Sequence, residues 1–249
     1  MAGWRKLGPA ALAGLALLVG AAEPALAQTL NLDLGASGGS TTSRILQLLA
    51  LITVLSLAPS ILVMMTSFTR IVVVLSFLRS AMGIQQTPPN SVLVSLALFL
   101  TIFIMMPTLQ LIYDEAISPL VAEDIDEMEA LSLASAPVRD FMLSHVREQD
   151  LQLFIDMADA DPILEPADTP LRALIPAFII SELKRSFEIG FLLFLPFLII
   201  DMVIASILMS MGMMMLPPIM ISLPFKLIFF VLVDGWYLVA GSLVQSYGI

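Results

Sequence analysis

Four apolar stretches, separated by two short polar connections and one long acidic one, set the plan of this 249-residue chain. The first runs over residues 45–65 and resumes over 71–78 before stopping at Arg79. That is too long for one simple span and predicts a tilted or extended helix, bent near Pro59. The polar connection GIQQTPPN (83–90) follows, then a second stretch over 91–113 with a kink expected at Pro107. After a polar segment, residues 176–191 mix charge with apolar positions, and 192–209 is apolar around Pro196 and Asp201. The run MSMGMMMLPP (209–218) turns the chain into the last apolar stretch, 219–244, which holds Lys226 and Asp234. Stretches of this kind approach the ~20 apolar residues of a membrane-spanning helix. They predict an all-α, integral membrane protein built from helical hairpins.

Composition sharpens this picture. The chain is 59% hydrophobic and 13% charged, with a mean hydropathy of +0.98, far too apolar for a soluble domain. Residues 1–27 read as a signal peptide: Arg5 and Lys6, an Ala/Gly-rich apolar stretch, then Ala25-Leu26-Ala27 as a cleavage site before Gln28. Residues 28–43 are a polar, Gly/Ser-rich, flexible lead-in. The remainder divides into two hydrophobic helices (44–113), an acidic extracytoplasmic segment (114–170) and a helical hairpin with a Met-rich loop (171–249). The net charge of −10 is concentrated in the acidic segment. Between Asp114 and Asp168 there are fifteen acids against Arg139 and Arg147, a local balance of −13. Acidity of this kind argues against nucleic-acid binding. A segment of that size forms a marginal core and reads as a cap or collar.

Charge also orients the chain. Cleavage at Gln28 places the mature N-terminus outside the cytoplasm, and Arg70 and Arg79 then mark a cytoplasmic helix end. Lys184 and Arg185 fall near the outer face, against that trend. Glu182 and Glu188 compensate them, since Lys184 and Glu188 lie four apart on one helix face.

Candidate chemistry is sparse. Cysteine is absent, which excludes disulfides and thiolate sites. The single histidine, His145, lies in a polar segment and reads as a solvated surface residue. Ser181 and Lys184 match an S-x-x-K spacing without its supporting motifs, and Asp156, Asp159 and Asp161 resemble only a fragment of a calcium loop. No nucleotide, dinucleotide or zinc-hydrolase motif occurs, and no cofactor or metal is expected. Arg70, Asp201, Lys226 and Asp234 are a better signal, because charges in apolar surroundings are costly unless paired or wet. Helical rise puts Asp201 and Lys226 about one turn apart in depth, within reach across the hairpin. Such a pair either fixes the hairpin register or forms a protonatable site. Ser206, Ser210 and Gly212 offer a small-residue face for close helix contact. Methionine clustered at 209, 211, 213, 214 and 215 makes a deformable apolar turn. It suits a seal that opens around something large, and it equally suits an ordinary hairpin turn.

Three segments carry a family resemblance: FTRIVVVLSFLRSAMGIQQTPPN (68–90), PAFIISELKRSFEIGF (176–191) and LPFLIIDMVIASILMSMGMMMLPPIMISLPFKLIFFVLVDGW (195–236). They resemble the FliP family of flagellar type III export-gate proteins, to which injectisome counterparts are similar. The resemblance implies a non-enzymatic subunit of a homo-oligomer, taken as a pentamer, assembled with FliQ and FliR into a helical, cone-like gate. That gate would sit in the inner membrane at the flagellar basal body and pass unfolded flagellar proteins outward, driven by the proton gradient and a separate ATPase. It further implies that Met213, Met214 and Met215 form a gasket around the closed pore, with Met209 and Met211 beside them. The assembled gate lies largely above the membrane plane, so the apolar segments need not be simple spans. Two other classes remain: a proton-coupled secondary transporter using Asp201, Lys226 and Asp234, and an intramembrane hydrolase using Ser181 and Lys184.

Overall fold

The computed structural model describes residues 48–49, 52–53, 56, 59–61, 63–84, 86–158, 169–213 and 216–248. The signal peptide, its cleavage point and the lead-in lie outside the described residues, as do Met214 and Met215. Contacts divide the chain between Leu55 and Ser56. In the first unit, described residues 48, 49, 52 and 53 are helical. In the second, Ser56–Ile249, every regular element among the described residues is helical.

Helix α1 (Phe68–Ala81) buries Ile71, Val74, Leu75 and Leu78, one face at 3.6-residue spacing. A helical segment at Pro59–Met65 meets it at 81°, so a bend falls at Thr66–Ser67, while the bend expected near Pro59 adjoins residues 57–58, outside the described residues. The connection to α2 (Asn90–Ile112) turns through Gly83 at φ +77°. Arg79 closes it by donating to Asn90 Oδ1 and to the Pro88 carbonyl. Helix α2 buries Leu93, Ala97, Leu100, Ile104 and Thr108, while Phe99, Ile102 and Phe103 on its other faces are exposed. The apolar helix does not stop at Tyr113. A π-helical turn, Tyr113–Ile117, carries it through Asp114 and Glu115 into the short α3 (Ser118–Val121).

The acidic segment is largely helical. Asp126 caps α4 (Glu127–His145) by accepting the Glu129 N–H at 2.7 Å. Arg147 and Asp150 then open α5 (Glu148–Met157). Met142 of α4 is buried with Leu174 and Phe178, so this segment shares a core with the helix that follows it.

That helix, α6 (Leu171–Ser210), is one 40-residue element, where the sequence predicted a charged lead and a separate span. At 1.5 Å per residue it is about 60 Å long, twice the ~30 Å hydrocarbon core. It packs along α1, and Gly190 permits the close approach: a Cβ there would lie 2.6 Å from the Phe77 ring. Only 11% of its most apolar window is buried. The last apolar stretch also differs from expectation. It breaks at Val233–Asp234 into α7 (Pro218–Leu232) and α8 (Gly235–Gln245), bent by 63°. Asp234 takes the left-handed conformation (φ 50°), and the Phe230 ring leaves no room for a Cβ on Gly235. By length and composition, the described residues supply two helices able to cross a membrane, or four if each bent pair is one span.

Candidate functional site

The methionine loop is built by two different helix-terminating devices. Gly212, at φ +74°, ends α6: its N–H bonds the Met209 carbonyl (3.1 Å) and the Met213 N–H bonds the Leu208 carbonyl (3.0 Å). This paired closure uses a glycine because the left-handed position disfavours a Cβ. Pro218 then sits at the first position of α7, where a missing N–H costs nothing. The turn thus begins at a glycine and is relaunched by prolines, instead of being forced by the prolines alone. Met209, Met211 and Met213 are 57%, 60% and 41% exposed. Ser206 and Ser210 are exposed too, each bonded back to its own helix. Leu216, after the two methionines outside the described residues, is 45% exposed as well.

Below the loop, α6 and α7 are joined by charge. Lys226 Nζ lies 2.6 Å from Asp201 Oδ2, and Ser222 donates to Asp201 Oδ1. The same ammonium donates to the Ala81 carbonyl at the end of α1 (3.2 Å). Lys226 is buried and Asp201 partly so. A pocket of about 380 Å³ opens beside them, bordered by Arg79 and Ser80. Asp234, grouped with these charges from sequence, is exposed at the α7–α8 bend.

A second ion pair is wholly buried. Arg70 grips Glu182 through both guanidinium arms, donating from Nε at 2.9 Å and from Nη2. Its Nη1 reaches the Ser246 carbonyl (3.1 Å) and hydroxyl (3.0 Å), and its guanidinium carbon stands 3.8 Å from the Tyr247 ring centre. The Tyr247 hydroxyl donates to Glu182. Burial, and then the negative charge of Glu182, push the Tyr247 phenol far above its ordinary range, so it stays a donor. Two expectations change here. Arg70 is neutralised inside the fold by Glu182 and is not a surface charge. Glu182 serves Arg70 and does not compensate Lys184 or Arg185. The expected Lys184–Glu188 pair is present at 3.8 Å on the surface. Arg185 is half-buried, and its charge partly opposes the shift at Tyr247. Sequence reasoning missed Tyr247 and Ser246, whose partners lie more than sixty positions away.

The remaining candidates resolve simply. His145 is half-buried, not solvated: its ring stands 4.7 Å from Phe141 and 4.9 Å from Tyr247, and Nδ1 lies 2.8 Å from the Phe141 carbonyl. Ser181 is not poised against Lys184. Its hydroxyl lies 2.6 Å from Asp150 Oδ2 and accepts the Arg147 N–H, while Lys184 faces Glu188. Asp156 accepts from Gln152 at 2.7 Å, and Asp159 and Asp161 lie outside the described residues. Among the described residues, no three acidic or histidine side chains converge as metal ligands would.

Comparison with known proteins gives this geometry its context. The FliP family model matches residues 51–243. The chain is 58% identical over 236 residues to the flagellar biosynthetic protein FliP of Caulobacter vibrioides, covering 95% of this chain and 88% of that protein. It is 56% identical over 211 residues to the FliP of Bacillus subtilis (85% and 96%) and 50% identical over 235 residues to that of Aquifex aeolicus (94% and 98%). The matched residues take in α1 to α7, most of α8, the methionine loop and both ion pairs, and on this match the chain belongs to the FliP family.

Proposed function

We propose that this chain is a subunit of the flagellar type III protein-export gate, and that its methionine loop closes the pore. The observation that carries the reading is the loop itself: Met209, Met211 and Met213, flexible and apolar, are exposed at the hairpin tip. Methionine has three rotatable bonds and a polarizable thioether, so a ring of such loops can close on itself and still yield around an extended polypeptide. The uncovered apolar faces of α2, α6 and α7 supply the surfaces on which further copies and other small membrane subunits would pack. On this reading the partners are more copies of the chain, taken as five, together with FliQ, FliR and unfolded export substrates. The site is the inner membrane and the flagellar basal body, reached after signal-peptide cleavage. The chain does no covalent chemistry.

The transporter reading is weaker. It needs Asp201, Lys226 and Asp234 in one path, yet the first two are paired and Asp234 lies eight residues beyond Lys226, ~12 Å along the helix, exposed at a bend. The test is ion conductance across the membrane of resting cells carrying Met213→Ala, Met214→Ala and Met215→Ala together. The seal predicts a leak with the gate still assembled. Wild-type tightness in that variant would remove the loop from the seal.

A further inference from the structure

The hairpin changes character partway along its length. At its base, Phe197 of α6 sets its ring 6.3 Å from Phe230 and 6.1 Å from Phe229 of α7, and Phe197 and Phe230 are buried. Beyond Asp201, packing falls away: Met202, Val203, Ile207, Met209, Met211 and Met220 are exposed, with Leu208 and Ser222 the buried exceptions. Asp201 stands nine residues before the end of α6 and Lys226 eight after the start of α7. The loop is therefore carried ~12–14 Å past this pair on two lightly packed arms. Each helix also holds a proline that removes a backbone hydrogen bond, Pro196 about 7 Å below Asp201 in α6 and Pro224 about 3 Å above Lys226 in α7, so the two prolines bracket the pair. One buried ammonium spans the level where the packing ends.

We infer that Lys226 is the positioning residue of the methionine loop. An ammonium has three donors. One goes to Asp201 and fixes α7 against α6; another goes to the Ala81 carbonyl and fixes the hairpin against α1. The carbonyl matters because it is part of a third helix: a bond to Asp201 alone would set the register of the hairpin and leave the whole hairpin free to tilt. The last turn of α1 carries partial negative charge on its terminal carbonyls, which suits a cation there. Lys226 thus makes a three-helix brace below which the hairpin is fixed and above which the arms carry the loop. This inference rests on the reading of the loop as a seal.

The test compares three variants in cells, reading resting ion conductance and the native mass of the purified assembly. Lys226→Met keeps an unbranched stem and loses both bonds. Asp201→Asn with Lys226→Met also removes the carboxylate that the single change leaves bare. Lys226→Arg keeps a cation and its donors. Positioning predicts a leak in both methionine variants, smaller than that of the loop variant, with assembly intact and tightness restored by Lys226→Arg. A tight double variant would overturn the inference, because the Ala81 bond would then be dispensable. Failure of both methionine variants to assemble would overturn it too, making the lysine a folding requirement. The alanine loop variant keeps the two claims apart. If it leaks while the Lys226 variants stay tight, positioning fails and the seal stands. If it is tight, the seal fails and this inference with it.

Discussion

A guanidinium without solvent contact must be neutralised where it lies, and Arg70 meets that demand with a carboxylate, a carbonyl, a hydroxyl and a ring face. Such a pair adds little net stability against an apolar replacement, but breaking it leaves a bare buried charge. Arg70→Ala should therefore lower stability in mild detergent by about 3–5 kcal/mol, and replacing Arg70 and Glu182 together by Met and Leu should recover much of that loss. Equal damage from the single and double changes would show that the pair is not the cause. Tyr247→Phe keeps the ring over Arg70 and removes one donor from Glu182, a loss of about 1–3 kcal/mol. At the loop, Gly212→Ala forces a Cβ into the left-handed region, at about 1–2 kcal/mol. That change should loosen the end of α6, measurable as faster amide exchange at Met211–Met213. Of these residues, the sequence signalled Arg70 as a costly charge in apolar surroundings and Glu182 as compensation for Lys184 and Arg185, but not the two as partners. A partner 112 positions away leaves no local pattern, and Tyr247 carries no charge to draw attention.

Helices in this chain show how an apolar background hides packing. The inner faces of α2 and α6 have sound 3.6-residue spacing, yet their outer faces are as hydrophobic, so no stripe stands out from the sequence. Element existence was legible; element boundaries were not. The single α6 was read as two pieces because Glu182, Lys184, Arg185 and Glu188 look like an interruption, whereas Glu182 is consumed by Arg70, Lys184 and Glu188 pair at the surface and Arg185 is half-buried. The α7–α8 bend was unreadable because its cause is steric: the Phe230 ring fills the space a side chain at 235 would need. The Asp201–Lys226 contact was legible, since both charges are isolated and helical rise brings them level. The bond to Ala81 was not, since a backbone carbonyl has no sequence signature. The α1–α6 contact offers a test at this scale. Gly190→Val would place methyl groups against Phe77 and push the helices apart, lowering stability by about 1–3 kcal/mol. A neutral Gly190→Val would mean that α1 and α6 do not approach this closely in the membrane.

On the proposed function the single subunit is one part of a larger assembly. Among the described residues, α6 is the longest helix, about twice a bilayer core in length with 11% of its most apolar window buried, and Met209, Met211 and Met213 of the loop are exposed. Lipid can cover part of that surface, but a 60 Å helix cannot lie wholly within hydrocarbon along the membrane normal. On the proposed function, further copies and other subunits cover the rest. The acidic segment fits that picture as a buttress, since α4 and α5 pack on the first half of α6 and leave its second half free. The direct measurement is the native mass and composition of the tagged chain, purified in mild detergent after co-expression with its membrane partners. The account predicts one large complex that holds several copies of this chain together with two smaller membrane proteins. A stable monomer or dimer, unchanged by the presence of those partners, would contradict it.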